Sequence, residues 1–209
     1  MTDPEITTAT VADRDPVLAS LVAAFAADPV LRYLFPGDAS YPYHAAAFFG
    51  YLFDKRVHLG TVWTIGGASV AMWDAPTSTA GDGDGDGGGD GGGGGDGDGD
   101  GDGDGEPALP AAELARVRAY NRAVHAALPP GPFWYLGVLG TDPRHAGKRF
   151  GHALMAAGLR RAAADGLPAV LETSNPGNVE VYKRAGFDVV AETAHESLAI
   201  WVMRRDPGA

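Results

Sequence analysis

The 209-residue chain contains no cysteine. That excludes disulfides, thiolate metal sites and a cysteine nucleophile together, and it fits a reducing compartment. No apolar stretch approaches the ~20 residues that span a bilayer. The opening stretch MTDPEITTATVADRD carries acids and no apolar core, so it does not read as a secretory signal. Lysine is scarce, present only as Lys55, Lys148 and Lys183, and no block of basic residues suggests nucleic acid. The expectation is a soluble cytoplasmic protein with neither nucleic-acid nor membrane partners and no metal site. The oligomeric state, monomer or homodimer, is open.

What the sequence has in excess is glycine, and it is concentrated. Of 31 glycines, 16 lie between Gly81 and Gly105, interleaved with 9 aspartates and nothing else. The formal net charge of −11 therefore splits into −9 from this run and −2 from the remainder, and the low pI says nothing of the folded part. The run has no apolar residue with which to offset the entropy of ordering, so it is expected to be a disordered insertion at about 79–107. Calcium-binding nonapeptide repeats are also Gly/Asp-rich, but they need a periodic apolar residue that is missing here.

Hydrophobic periodicity places the elements. Ile6 to Thr10 reads as a short strand, Pro16 to Ala27 as a helix, and Leu31 and Leu34 as part of a short helical piece between Pro29 and Pro36. A helix follows from Tyr43 to Val57, with Phe48, Phe49 and Phe53 as core, then a hairpin from strands Thr61–Ile65 and Ser69–Trp73 around Gly66–Gly67. After the run come a helix (Pro110–Leu128), a strand (Phe133–Thr141), an alanine-rich helix (His152–Asp165), a strand (Ala169–Thr173), a short helix (Asn178–Ala185) and two strands, Phe187–Ala191 and Ser197–Met203. Alternating helices and strands make the fold class α/β or α+β with a mixed sheet.

Two segments carry chemistry. In the first, Phe133 to Ala162, a strand ends, Pro143 turns the chain, and a loop with Gly147 and Gly151 enters a helix. Free amides at a helix start, the helix dipole and nearby Arg144, Lys148 and Arg149 suit a diphosphate; glycines before a helix are also ordinary turn punctuation. Walker and Rossmann spacings are absent. The stretch Ala146-Gly147-Lys148-Arg149-Phe150-Gly151 resembles the acetyl-CoA loop of GNAT acetyltransferases, Q/R-x-x-G-x-G/A, with Ala146 in place of Gln or Arg and Arg149 in place of a glycine. In the second segment, Asn178, Tyr182, Gly186 and Phe187 resemble the N-x-x-x-Y-x-x-x-G-F pattern of the same superfamily. The stretches WYLGVLGTDPRHAGK, TVWTIGGASVAMWDAP and WVMRRDPGA look most like its puromycin N-acetyltransferase-like branch.

The resemblance implies a single GNAT domain over residues 1–209, interrupted by the insertion. Its central sheet is mostly antiparallel, splayed between the fourth and fifth strands and flanked by helices. It implies acetyl-CoA as cosubstrate, held by Leu139, Gly140 and Thr141 along its pantetheine arm, by Ala146 to Gly151 at its phosphates, and by Asn178. It makes Tyr182 the general acid for the departing thiolate. The expected function is N-acetyl transfer to a primary amine of a small molecule, with an aminonucleoside-type antibiotic as one candidate; the alternative is a catalytically weakened acyl-CoA-binding protein. Glu172 leads as base, with substrate anchoring or a structural hydrogen bond as the other readings; His145 and His195 are weaker candidates. Asp28, Tyr33, Phe35, Trp63 and Trp73 are candidates to line the acceptor pocket, with core packing the simpler role for any one of them.

Overall fold

A computed structural model describes residues 4–76 and 106–208; the Gly/Asp run and its expected disorder lie outside them. A short strand β1 (Thr7–Thr8) leads through a 3-10 turn into α1 (Arg14–Ala24), α2 (Pro29–Leu34) and α3 (Tyr41–Val57). The hairpin β2 (Val62–Ile65) and β3 (Ser69–Asp74) follows, then α4 (Ala111–His125), β4 (Trp134–Thr141), α5 (Phe150–Ala164), β5 (Ala169–Thr173), α6 (Pro176–Arg184), β6 (Asp188–His195) and β7 (Leu198–Arg205). The largest departure from the sequence expectation is β6. It runs on to His195 instead of ending at Ala191, because its second half pairs with β7. That ladder is a tertiary contact invisible to local periodicity.

The strands form one sheet in the order β1-β2-β3-β4-β5-β7-β6, antiparallel throughout except for the parallel β4–β5 pair. Alternation along each strand feeds two cores. One face carries Val62, Val70, Met72, Val138 and Ile200 against α1 to α4; the other carries Ile65, Trp73, Leu136, Leu171 and Met203 against α5 and α6. Phe35 and Trp73 are completely buried in these two cores, and Trp63 packs on Trp73 beside α5. Full burial gives Phe35 and Trp73 a core-packing role; Trp63 is half-buried.

Two irregularities open the sheet. Met72 lies opposite Val138 while Trp73 lies opposite Leu136, so Gly137 is an extra residue, a β-bulge. The bulge reverses the alternation: Trp134 and Leu136 pack toward α5, then Val138 packs toward α1, and Leu139 returns to the α5 side. Next, the β4–β5 ladder pairs only Trp134 with Ala169 and Tyr135 with Val170. Beyond Tyr135 the two strands have no register partners in each other, and the sheet splays.

Candidate active site

The splay is lined from both strands and from the helices that follow them. Asp142 donates its amide to the Ala68 carbonyl on β3's side (2.9 Å), and the Gly140 carbonyl accepts from Ser69 Oγ at 3.2 Å. Polar main-chain groups alternate sides along a strand, so Gly140 turns its own toward β3, and Leu139 and Thr141 turn theirs toward the gap. Gly140 is glycine for a packing reason: a Cβ there would lie 2.7 Å from Leu21 Cδ2 and 2.8 Å from Phe25 Cε2. α1 crosses that close.

The turn after β4 is built by Asp142. Its buried carboxylate accepts from the Arg144 amide (2.8 Å) and grips the Arg144 guanidinium at 2.6 Å. Those bonds hold its pKa down to about 2 and commit Arg144 to the turn. His145 stacks on the Phe150 ring (6.2 Å), and Lys148 Nζ lies 5.8 Å from the same ring. The chain then reaches α5 through Gly147 at φ 80° and Arg149 at φ 60°. Arg149 is the N-cap residue and makes no side-chain cap. Among the described residues, the amides of Gly147, Arg149, Phe150, Gly151 and His152 donate no hydrogen bond. By contrast, Asp28 and Asn175 cap α2 and α6 through their side chains. Uncapped amides in the field of a helix N-terminus form a cradle for an anionic oxygen, so this loop fits the diphosphate of a coenzyme A ester.

Beside the cradle is a cavity of about 250 Å³. β4 contributes Leu139 and Thr141, α5 contributes Gly151, His152 and Met155, and α6 contributes Asn178, Val181 and Tyr182. Tyr182 packs edge-on against Phe187 (5.9 Å, 66°). Burial, with Glu172 and Asp28 as negative neighbours, pushes its phenol up to about 12. It therefore keeps its proton throughout the working pH range. His152 is a cavity residue that sequence reasoning missed, since an exposed polar residue in the first turn of a helix carries no distinguishing signal.

Glu172 occupies the opposite face. Leu171 packs toward α5, so by alternation Glu172 points toward the layer of α1 to α4. Tyr135 donates its hydroxyl to Glu172 Oε2. Burial pushes the Glu172 carboxyl up to about 7; the Tyr135 hydrogen bond and then a bond from its own main-chain amide oppose the rise, and Asp74 and Asp28 add to it. Asp74 is itself held by Arg56 through two bonds of 2.7 Å. Asp28 spends its carboxylate on the Val30 and Leu31 amides. Tyr120 of α4 is a further neighbour, its phenol raised by burial and by Glu172. Tyr33 bonds His195 Nε2 at 3.1 Å, which pins the β6–β7 turn to α2. The arrangement is a carboxyl that titrates near neutrality on one side of a gap, and a phenol that does not titrate there on the other.

Residues 112–187 match a family model described as the acetyltransferase (GNAT) family. Solved structures share the fold over nearly the whole chain. A histone acetyltransferase HPA2-related acetyltransferase from Corynebacterium glutamicum is 20% identical, with a TM-score of 0.66 over 100% of this chain and 98% of its own. Arylalkylamine N-acetyltransferase 2 from Aedes aegypti is 11% identical, with a TM-score of 0.64 over 99% and 100%. A polyamine N-acetyltransferase from Drosophila melanogaster is 12% identical, with a TM-score of 0.59 over 98% and 100%. No helix among the described residues is long and apolar enough to cross a membrane. Residues 112–187 thus match the acetyltransferase (GNAT) family model, and the fold of the chain is shared with solved acetyltransferases.

Proposed function

We propose that the protein is an N-acetyltransferase that uses acetyl-CoA to acetylate a primary amine on a small molecule by direct attack. The observation that carries this reading is the splayed β4–β5 gap, with Tyr182 and the cradle on one side of the sheet and Glu172 on the other. Acetyl-CoA would supply an activated acyl group on a good leaving thiolate. The amides of Gly147, Arg149, Phe150, Gly151 and His152 would hold its phosphates, Leu139 and Thr141 would bond its pantetheine arm, and Asn178 would bound the cavity beside that arm.

Glu172 accepts the proton that an ammonium must lose before its nitrogen can attack; a carboxyl titrating near neutrality suits that task. Main-chain donors of β4 at the gap polarise the acetyl carbonyl. As the carbon–sulfur bond breaks, Tyr182 gives its phenolic proton to the thiolate. A phenol near 12 is a weak acid, but the thiolate forms in the same dry cavity, and desolvation raises the proton affinity of both. With no cysteine in the chain, a cysteine acyl-enzyme does not compete.

The test is release of free thiol from acetyl-CoA over a panel of amines including puromycin, an arylalkylamine and a polyamine, with cofactor binding followed by calorimetry. Turnover on one class names the acceptor; turnover on puromycin supports the aminonucleoside reading. Tight acetyl-CoA binding with no turnover on any amine would leave a cofactor-binding protein and overturn the proposal.

A further inference from the structure

We infer that Tyr135 is the positioning residue of the acceptor side: its hydroxyl fixes the Glu172 carboxylate at the mouth of the splay and sets the pH at which that carboxylate works. The inference rests on the acetyltransferase reading for its catalytic meaning, but the geometry stands apart from it. Tyr135 is the last residue of β4 with a register partner on β5, Val170. It therefore stands on the rim of the gap, held to β5 by the ladder's last rung. Its ring leans on Phe133 (6.4 Å) and lies against Gly137, where a Cβ would be 3.5 Å from Tyr135 Cε1. The ring and the bulge are therefore in ordinary van der Waals contact.

From that anchored ring the hydroxyl reaches Glu172 Oε2. One carboxylate oxygen is committed to Tyr135, so the other is the oxygen left to take a proton. Tyr135 cannot compete as an acid, because burial and the neighbouring Glu172 hold its phenol far above the usual range. It is a permanent donor, and a donor to a carboxylate favours the ionised form. The other charged and titratable groups bearing on Glu172 leave this role to Tyr135. Asp74 of β3 is paired with Arg56 of α3, Asp28 caps α2, and Arg204, on the same face of β7, is paired with Asp206. Tyr120 of α4 and Tyr182 of α6 are neutral phenols with raised pKa values.

The experiment compares the full-length wild type with Tyr135→Phe, with Glu172→Gln, and with 3-fluorotyrosine installed at position 135. The fluorinated residue keeps the ring and the donor but makes a stronger hydrogen bond. In the pH profile of kcat/KM for an active amine, the inflection near 7 should move up by about one pH unit in Tyr135→Phe. It should move down with 3-fluorotyrosine and vanish in Glu172→Gln, with the KM for acetyl-CoA changed less than twofold throughout. The second readout needs no substrate: the urea midpoint of the wild type should fall with rising pH until about 7, and that endpoint should shift in the same two directions. Endpoints that coincide in the wild type and the fluorinated protein overturn the inference, as does an unshifted Tyr135→Phe. If no amine is turned over while the urea endpoints still shift, the coupling stands and the enzymatic reading is what fails.

Discussion

Of the described glycines, Gly158 of α5 is the one most closely approached, by Trp73 of β3, and Gly158→Ala tests how far the loop before α5 depends on that packing. A Cβ on Gly158 would lie 2.1 Å from Trp73 Cζ2, 2.2 Å from Cε2 and 2.7 Å from Nε1. Carbon atoms pack best at about 3.5–4.0 Å, so the methyl needs about 1.4 Å or more of room. The indole cannot yield it. Trp73 is fully buried, backed by Trp63, and carried on a strand hydrogen-bonded on both edges. α5 has to lift instead. Alanine returns about 1 kcal/mol of helix propensity, and overpacking costs about 1–3 kcal/mol or more; with a clash this deep the cost is taken beyond that range. The expected net loss is about 2 kcal/mol, read as a lower urea midpoint at unchanged m-value. Lifting α5 also displaces the Gly151 and His152 amides at its first turn, so acetyl-CoA binding should weaken while kcat holds. Trp73→Phe in the same chain makes room, and the double variant should be more stable than the two single losses predict. Strict additivity, or a Gly158→Ala protein as stable as the wild type, would refute the packing argument.

Tyr182→Phe should lower kcat roughly 10²-fold or more, the typical share of a general acid, with acetyl-CoA affinity unchanged by calorimetry; wild-type turnover would remove Tyr182 from the chemistry. Glu172→Gln should change the stability profile in one direction. A carboxyl whose folded pKa is raised from 4.5 to about 7 contributes fully below 4.5 and loses that contribution as pH rises through 7. Relative to the wild type, the Gln variant should therefore gain stability across that window, by at most about 3 kcal/mol; a pH-independent difference in urea titrations would contradict the assignment. Arg149→Gly should relieve a left-handed residue, a strain of about 1–3 kcal/mol. After the extra freedom of glycine in the unfolded chain is subtracted, the melting temperature should still rise; a fall would mean that the side chain contributes more than its backbone costs.

Element identity and order were legible because they are local: apolar spacing and Gly/Pro punctuation place all seven strands and six helices to within a few residues. The strand–turn–helix unit proposed to hold acetyl-CoA was legible as a local shape for the same reason, although Ala146 and Arg149 depart from the family pattern. A cradle made of amides depends on φ and on a missing cap, and Gly147 with an uncapped Arg149 satisfies both. On the acceptor side Glu172 stood out as a candidate, but its pairing with Tyr135 was not legible. Tyr135 and Glu172 lie 37 residues apart, in strands whose letters signal only burial, and nothing local tells which face of the sheet each takes. That choice is made by two long-range features: the bulge at Gly137, which leaves Tyr135 on the face of α1 to α4, and the β4–β5 register of two rungs, which brings Glu172 to the same face. A slip of β5 by one residue would turn Glu172 toward α5 and bring Leu171 or Thr173 to Tyr135. The antiparallel ladder from β5 to β7, five rungs from Ala169–Arg205 to Thr173–Trp201, opposes that slip. The register of a strand splayed on one edge is therefore held by its other edge, and by a strand that touches neither the cradle nor the cavity.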